Sequence, residues 1–390
     1  MTTTNVGSTK LADSRCSRSP LRSSSAPRSS KPLKPSPIAE APQTTASPLA
    51  RSANCWRKAW KAERTRNSPT PQKRKSHGPF IKTARYIGNK WGGKYLRAPD
   101  IFFTILEKGK GKLVRLGDIA EVRRGFTTGA NEFFYLEPTG KPAPSGYLHV
   151  RNGAGWEGEI EEEFLKPVIK SPRECRSILI KPEDLRYKIF MCHRDKSELK
   201  GTAALEYIHW GEAQGYHQRP SCRGRPRWWD VGVREFPNIV WVKSINESHR
   251  QALIPFDALV DQRLYEITYR DSFHLNLILN STITILMKEL SGRVNLGEGV
   301  LDTAVYEANR VPVLAPLLLA AAGATSLKDA FDRMRSREIL PILDEIHQPD
   351  RRALDEVVFE VLGLTAGERE AVYEAVVNLV RARLEKAQSV

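Results

Sequence analysis

The chain has 390 residues, long enough by ordinary domain sizes for about two to three buried cores, and carries 61 Lys and Arg against 45 Asp and Glu. Its net charge of +16 points to nucleic acid, but the excess is local: residues 1–97 hold 21 basic against 3 acidic residues, the remainder 40 against 42. With no long apolar run, no apolar signal core and five cysteines at no metal-ligand spacing, the sequence argues against a membrane span, secretion, a disulfide framework and a zinc site, and a cytoplasmic location is expected.

Residues 1–84 are dominated by Ser, Pro, Thr, Arg and Lys, with hardly any aliphatic clusters. Such a segment buries too little apolar surface to offset its ordering entropy, so a disordered basic tail is expected. Two origins stay open: a real tail adding nonspecific phosphate contacts, or the product of a frameshift or misassigned start. Residues 85–111 read as a linker with a short helix from Pro99 to Lys108, whose face holds Ile101, Phe102, Ile105 and Leu106.

From 112 to 322 the pattern is mostly short β-rich runs between turn residues. Strands are expected at Glu132–Leu136, Tyr147–Val150, Ser177–Ile180, Tyr187–Cys192, Ile239–Lys243 and Leu259–Thr268. Helices are expected at Thr202–Gly211 and Phe273–Leu290. Residues 323–390 become helical. Ser326 with Asp329 suggests one helix start, Pro349 opens a second helix that Gly363 stops, and Thr365 with Glu368 forms a capping box for a third. The sum predicts an α+β fold: a mixed β-rich domain followed by a C-terminal helical segment, behind a disordered N-terminal tail.

Catalytic motifs are scarce. An amino-methyltransferase needs a Gly-rich cofactor loop and an Asn/Asp-Pro-Pro-aromatic turn to grip an extruded base, and no Pro-Pro dipeptide occurs. Gly153, Gly155 and Gly158 match a Gly-x-Gly-x-x-Gly pattern, but acidic residues follow, so they read as a glycine turn. No catalytic residue, cofactor site or metal site is assigned in this chain.

Three basic segments suit nucleic acid. In Gly215–Asp230 (GYHQRPSCRGRPRWWD), Arg219, Arg223, Arg225 and Arg227 alternate with Gly and Pro and run into Trp228 and Trp229. Arginine forks match phosphates and the O6/N7 edge of guanine, while the tryptophans either stack on a base or anchor the loop. In RRGFTTGAN, Arg123, Arg124, Thr127, Thr128 and Asn131 surround glycines that let backbone approach a phosphate or base edge. Lys166, Lys170 and Arg173 make a third strip. Solvated loops are the plain alternative for each.

Several landmarks occur in an order that resembles the C-terminal region of single-chain, type IIG-like restriction-modification N6-adenine DNA methyltransferases, with related segments in type I specificity subunits. They are WGGKYLRAPDIFF, LGDIAEVRRGFTTGANEFFYL, FLKPVIKSPRE, RPRWWD, NIVWVK, LILNSTITILMKELSGRVNLGEG and VVNLVRARLEKAQSV. The resemblance implies that 112–322 is a target-recognition domain for double-stranded DNA, with S-adenosylmethionine used by a catalytic domain that is missing here. It places Arg123, Arg124, Thr127, Thr128 and Asn131 in a first recognition loop. Asn280, Ser281, Arg293 and Asn295 fall in a later helix-and-loop unit, where the asparagines are chemically suited to adenine. The expectation is therefore a truncated recognition fragment, inactive unless a methyltransferase subunit acts in trans. The alternatives are a standalone DNA specificity subunit and a noncatalytic nucleic-acid-binding protein.

Overall fold

The computed structural model describes residues 97–294, 299–322 and 324–388. The expected tail over 1–84 and the candidate Asn295 lie outside the described residues. The longer helices are α1 (Asp100–Lys108), α2 (Ala203–Ala213), α3 (Ser272–Asn280), α4 (Thr282–Ser291), α5 (Pro316–Ala322), α6 (Ala324–Met334), α7 (Pro349–Leu362) and α8 (Ala366–Gln388). The strands that place the site are β1 (Glu121–Arg124), β2 (Tyr135–Pro138), β3 (Tyr147–Asn152), β4 (Glu157–Glu161), β5 (Leu165–Ile169), β6 (Tyr187–Phe190), β7 (Ile239–Trp241), β8 (Gln251–Leu253), β9 (Leu259–Val260) and β10 (Tyr265–Thr268). The architecture is α+β, as the sequence pattern predicts. No helix among the described residues is long and apolar enough to cross a membrane.

Two sheets carry the β-rich part. The larger runs β9–β5–β6–β2–β3–β4 and is antiparallel except at β9–β5; the smaller runs β8–β7–β10–β1 and is antiparallel throughout. In β7 the side chains alternate between two cores. Ile239 and Trp241 join a large cluster with the helices, while Val240 joins a smaller one with Ile169 and Val260. One face of the larger sheet is covered by α2, where Phe133 stacks on Tyr207 at 4.5 Å and meets Trp228 at 4.8 Å.

The large cluster runs from Ile101 in α1 to Val380 in α8, so the helical segment shares one core with the smaller sheet. Buried polar groups pin this contact. Asp355 of α7 accepts hydrogen bonds from the Thr282 N–H (2.7 Å) and Thr282 Oγ1 (2.5 Å), capping α4 from another helix. Burial raises the Asp355 pKa. Arg383 of α8 reaches Glu289 of α4 at 2.9 Å, and His249 meets the same carboxylate at 2.8 Å.

Local differences from the sequence pattern have identifiable causes. The expected strand Glu132–Leu136 begins instead as a helical turn, Asn131–Phe134, before β2. Ser177–Ile180 makes only an isolated bridge, Leu179 to Leu253. Leu259–Thr268 splits into β9 and β10 around a turn, because the Asp261 carboxylate accepts the Arg263 N–H at 2.9 Å and draws the chain round. Phe273–Leu290 is two helices, since Ser281 is extended (φ −67°, ψ 151°) and its hydroxyl caps Thr284. Ser326 lies within α6 and does not start it.

Candidate nucleic acid interface

The loop after β1 and the turn between β9 and β10 cross at very close range. A Cβ on Gly125 would lie 2.3 Å from the Asp261 carbonyl oxygen and 2.4 Å from that of Val260, so only glycine fits. The crossing is stitched by Phe126 N–H to Val260 O (2.9 Å) and Gln262 N–H to Phe126 O (2.9 Å). Behind it, the buried Tyr135 hydroxyl donates to Asp261 at 2.5 Å. At the surface, Arg124 Nη2 and Thr127 Oγ1 both donate to Gln262 Oε1, each at 3.1 Å.

The arginine-rich loop packs on the same place. Arg225 Nη2 donates to the carbonyls of Thr128 (2.7 Å) and Thr127 (3.1 Å), and its Nη1 reaches the Trp228 carbonyl at 3.4 Å. Gly129, at φ +80°, presses against Ser221. Thus two loops about a hundred residues apart in sequence form one rim. Arg219 joins it through Glu132 at 2.7 Å and lies 4.6 Å from the Tyr216 ring centre.

The candidate residues divide by what they touch. Arg223 is exposed, with no partner among the described residues, so its fork is free. Arg225 is a strut between loops. Arg227 is held by Asp195 at 3.1 Å and Asp230 at 2.9 Å. Thr128 is fully buried, and its hydroxyl bonds to Asn131 Oδ1 at 2.5 Å. Trp228 and Trp229 are both buried, which makes them loop anchors. Lys166 is half-buried on β5. The Lys170 amine lies 3.7 Å from the Tyr187 ring centre and 4.5 Å from that of Tyr135; burial, with Arg263 nearby, lowers its pKa. Arg293 pairs with Glu307 at 3.1 Å.

Asn280 needs correction. It is 1% exposed, its amide donates to the carbonyls of Gln251 and Asn276 at 2.8 Å each, and its oxygen accepts the Gln251 N–H at 2.9 Å. It clamps α3 to β8 and turns no group to solvent. The rim also holds residues the motif reading passed over: Gln262, the exposed Arg263, and Glu266. The polar triplet Asp261-Gln262-Arg263 inside an otherwise apolar run was the available signal.

Glu266 sits in register between Arg123 and Val240, on the sheet face opposite Tyr265 and Ile267. It is 1% exposed, and neither carboxylate oxygen has a hydrogen-bond partner among the described residues. Arg234 at 3.7 Å and Arg123 at 3.8 Å are its ion-pair neighbours. Burial outweighs both arginines and lifts its pKa from 4.5 to about 6. A raised carboxyl pKa stabilises the fold fully below the unfolded value, and that stabilisation is lost as pH rises through about 6. The stability advantage of Glu266→Gln over wild type is therefore expected to widen by about 2 kcal/mol between pH 4 and pH 8. Parallel urea-denaturation profiles across that range would refute this assignment.

Residues 162–348 match the family model described as the C-terminal domain of the type II methyltransferase M.Eco57I. That stretch is similar to a type II methyltransferase C-terminal domain, in accord with the resemblance read from the sequence. No curated protein sequence matches the chain. Among solved structures, the type IIG restriction endonuclease BpuSI aligns with a TM-score of 0.48 at 12% identity, over 75% of this chain and 34% of that one. The chain thus spans about a third of that structure's length.

Proposed function

We propose that this chain recognises a specific sequence in double-stranded DNA, as the target-recognition part of an adenine-specific DNA methyltransferase of a restriction-modification system. The observation that carries this reading is the rim, where loops 123–131 and 219–225 and the turn 261–263 meet and turn arginine forks outward. Arg223 and Arg263 are free to neutralise phosphates, and Arg124 is held in place beside them. Phosphate contacts of this kind set the register of a duplex, and side chains fixed between them read base edges. Under this reading, methyl transfer from S-adenosylmethionine belongs to a catalytic domain whose motifs these 390 residues do not contain.

The test is the affinity of the chain for a duplex across a salt series. Each neutralised phosphate contributes a slope of about −0.9 to log K against log salt. The double variant Arg223→Ala/Arg263→Ala is expected to make the slope shallower by about 2 while leaving the thermal midpoint unchanged. A slope equal to that of wild type would remove these two residues from the interface. No duplex binding at all would sink the proposed function.

A further inference from the structure

We infer that Arg124, Gln262 and Thr127 form a preassembled reader of a guanine edge in the major groove, with Gln262 as the residue that sets the preference. The inference rests on the DNA-binding function proposed above and adds the base that is read. It begins from a constraint on Gln262. A guanidinium can only donate, so the Gln262 atom 3.1 Å from Arg124 Nη2 is the carbonyl oxygen. Thr127 Oγ1 donates to the same oxygen, also at 3.1 Å. The Gln262 acceptor is therefore occupied twice, and its amide NH2 is left with no partner among the described residues.

Apart from the lone pairs of the Thr127 hydroxyl, which already donates to Gln262, the free groups of this cluster are donors: the Gln262 amide and the remaining Nη1 of Arg124. A free glutamine reads adenine by pairing one donor with one acceptor, N6–H to its oxygen and N7 to its nitrogen. Gln262 has no acceptor to spare, so adenine is disfavoured. Cytosine shows a donor in the major groove and meets nothing suitable. Guanine presents two acceptors, O6 and N7, and matches the donor pair.

Phosphate oxygens are acceptors too, so the chemistry alone fits either source. The support behind the cluster favours a base edge. Arg124 Nε also points at the Gln262 main-chain carbonyl oxygen, at 3.4 Å, and the Gln262 main-chain N–H donates to the Phe126 carbonyl. Gly125 permits the close crossing, and the Tyr135–Asp261 bond holds the turn from below. Fixed orientation of this kind serves direction-sensitive base readout, whereas a phosphate contact needs only an exposed fork such as Arg223.

The experiment is selection of bound duplexes from a randomised library by the full chain, at fixed salt, for wild type, Gln262→Ala and Gln262→Glu. Wild type is expected to favour guanine at one position by about 5- to 150-fold over other bases. Gln262→Ala flattens that position. Gln262→Glu keeps an oxygen for Arg124 and Thr127 but replaces the outward donors by an acceptor, so guanine preference is lost and cytosine gains. Equal weakening on all sequences would mean a phosphate contact and would overturn the inference, as would unchanged preference in both variants. If wild type binds no duplex, the proposed function fails and this inference with it.

Discussion

Replacing Arg383 by methionine is expected to destabilise the chain by about 3–5 kcal/mol in urea denaturation at neutral pH, the cost of leaving a buried charge without its partner. Arg383 and Glu289 are each 2% exposed at the side chain. The guanidinium meets both carboxylate oxygens, at 2.9 and 3.3 Å, and also donates to the carbonyls of Asn246 (2.6 Å) and Gly299. Burial on its own would raise the Glu289 pKa, yet His249 and Arg383 hold it below the ordinary carboxylate range. Methionine fills comparable volume but leaves Glu289 with His249 alone, and burial lowers the His249 pKa so that it is a poor counterion. The double variant Arg383→Met/Glu289→Gln should recover part of the loss, since the two effects share one interaction. A loss under about 1 kcal/mol in the single variant would show that the pair contributes little beyond an apolar contact.

The second large effect is expected at Arg225, through position and not through contact with DNA. Arg225→Ala removes the strut to the carbonyls of Thr127, Thr128 and Trp228. Hydrogen bonds from a charged donor are worth about 1.5–3 kcal/mol in total stability when their partners go unsatisfied. The rim loops should separate, and duplex affinity should fall by about tenfold or more on every sequence, corresponding to about 1.4 kcal/mol. Arg225→Lys should not rescue it, because an ammonium lacks the planar fork that spans two carbonyls. Arg223→Ala should leave stability within about 0.5 kcal/mol of wild type, as for an exposed side chain without partners. If the two alanine variants behave alike in both thermal midpoint and affinity, the division between strut and contact is wrong.

What could be read from the sequence was mostly local. Pro99, Thr202, Pro349 and Gly363 mark helix ends by rules that act within one turn, and the structure places them at helix boundaries. The Thr365–Glu368 capping box is present, with the Thr365 N–H donating to Glu368 at 2.7 Å. Errors came where a tertiary partner decides. Thr282 is capped from α7, a segment about seventy residues away, which adds to the local Ser281 cap at that break in the helix. Asn280 was placed in the recognition unit by resemblance alone, and its burial depends on β8, whose Gln251 it holds. The rim was half legible. Its two arginine loops stood out by composition, but their meeting did not. Gln262 was hidden because a polar residue in an apolar run resembles the solvent face of a strand.

The α8 contact bears on how the chain is made. The helix carrying Arg383 is synthesised after the smaller sheet and α4, and Val376 and Val380 complete a core that begins at Ile101. Until that helix has cleared the ribosome, Glu289 and His249 have no guanidinium to meet, and the apolar faces of α1 and α4 stay wet. Contacts so distant in sequence are slow to close, because the intervening loop must lose its entropy first. The core shared by the smaller sheet and the helices therefore closes only once α8 has been made, and a ribosome stalled before Arg383 would hold a substrate for chaperones and proteases.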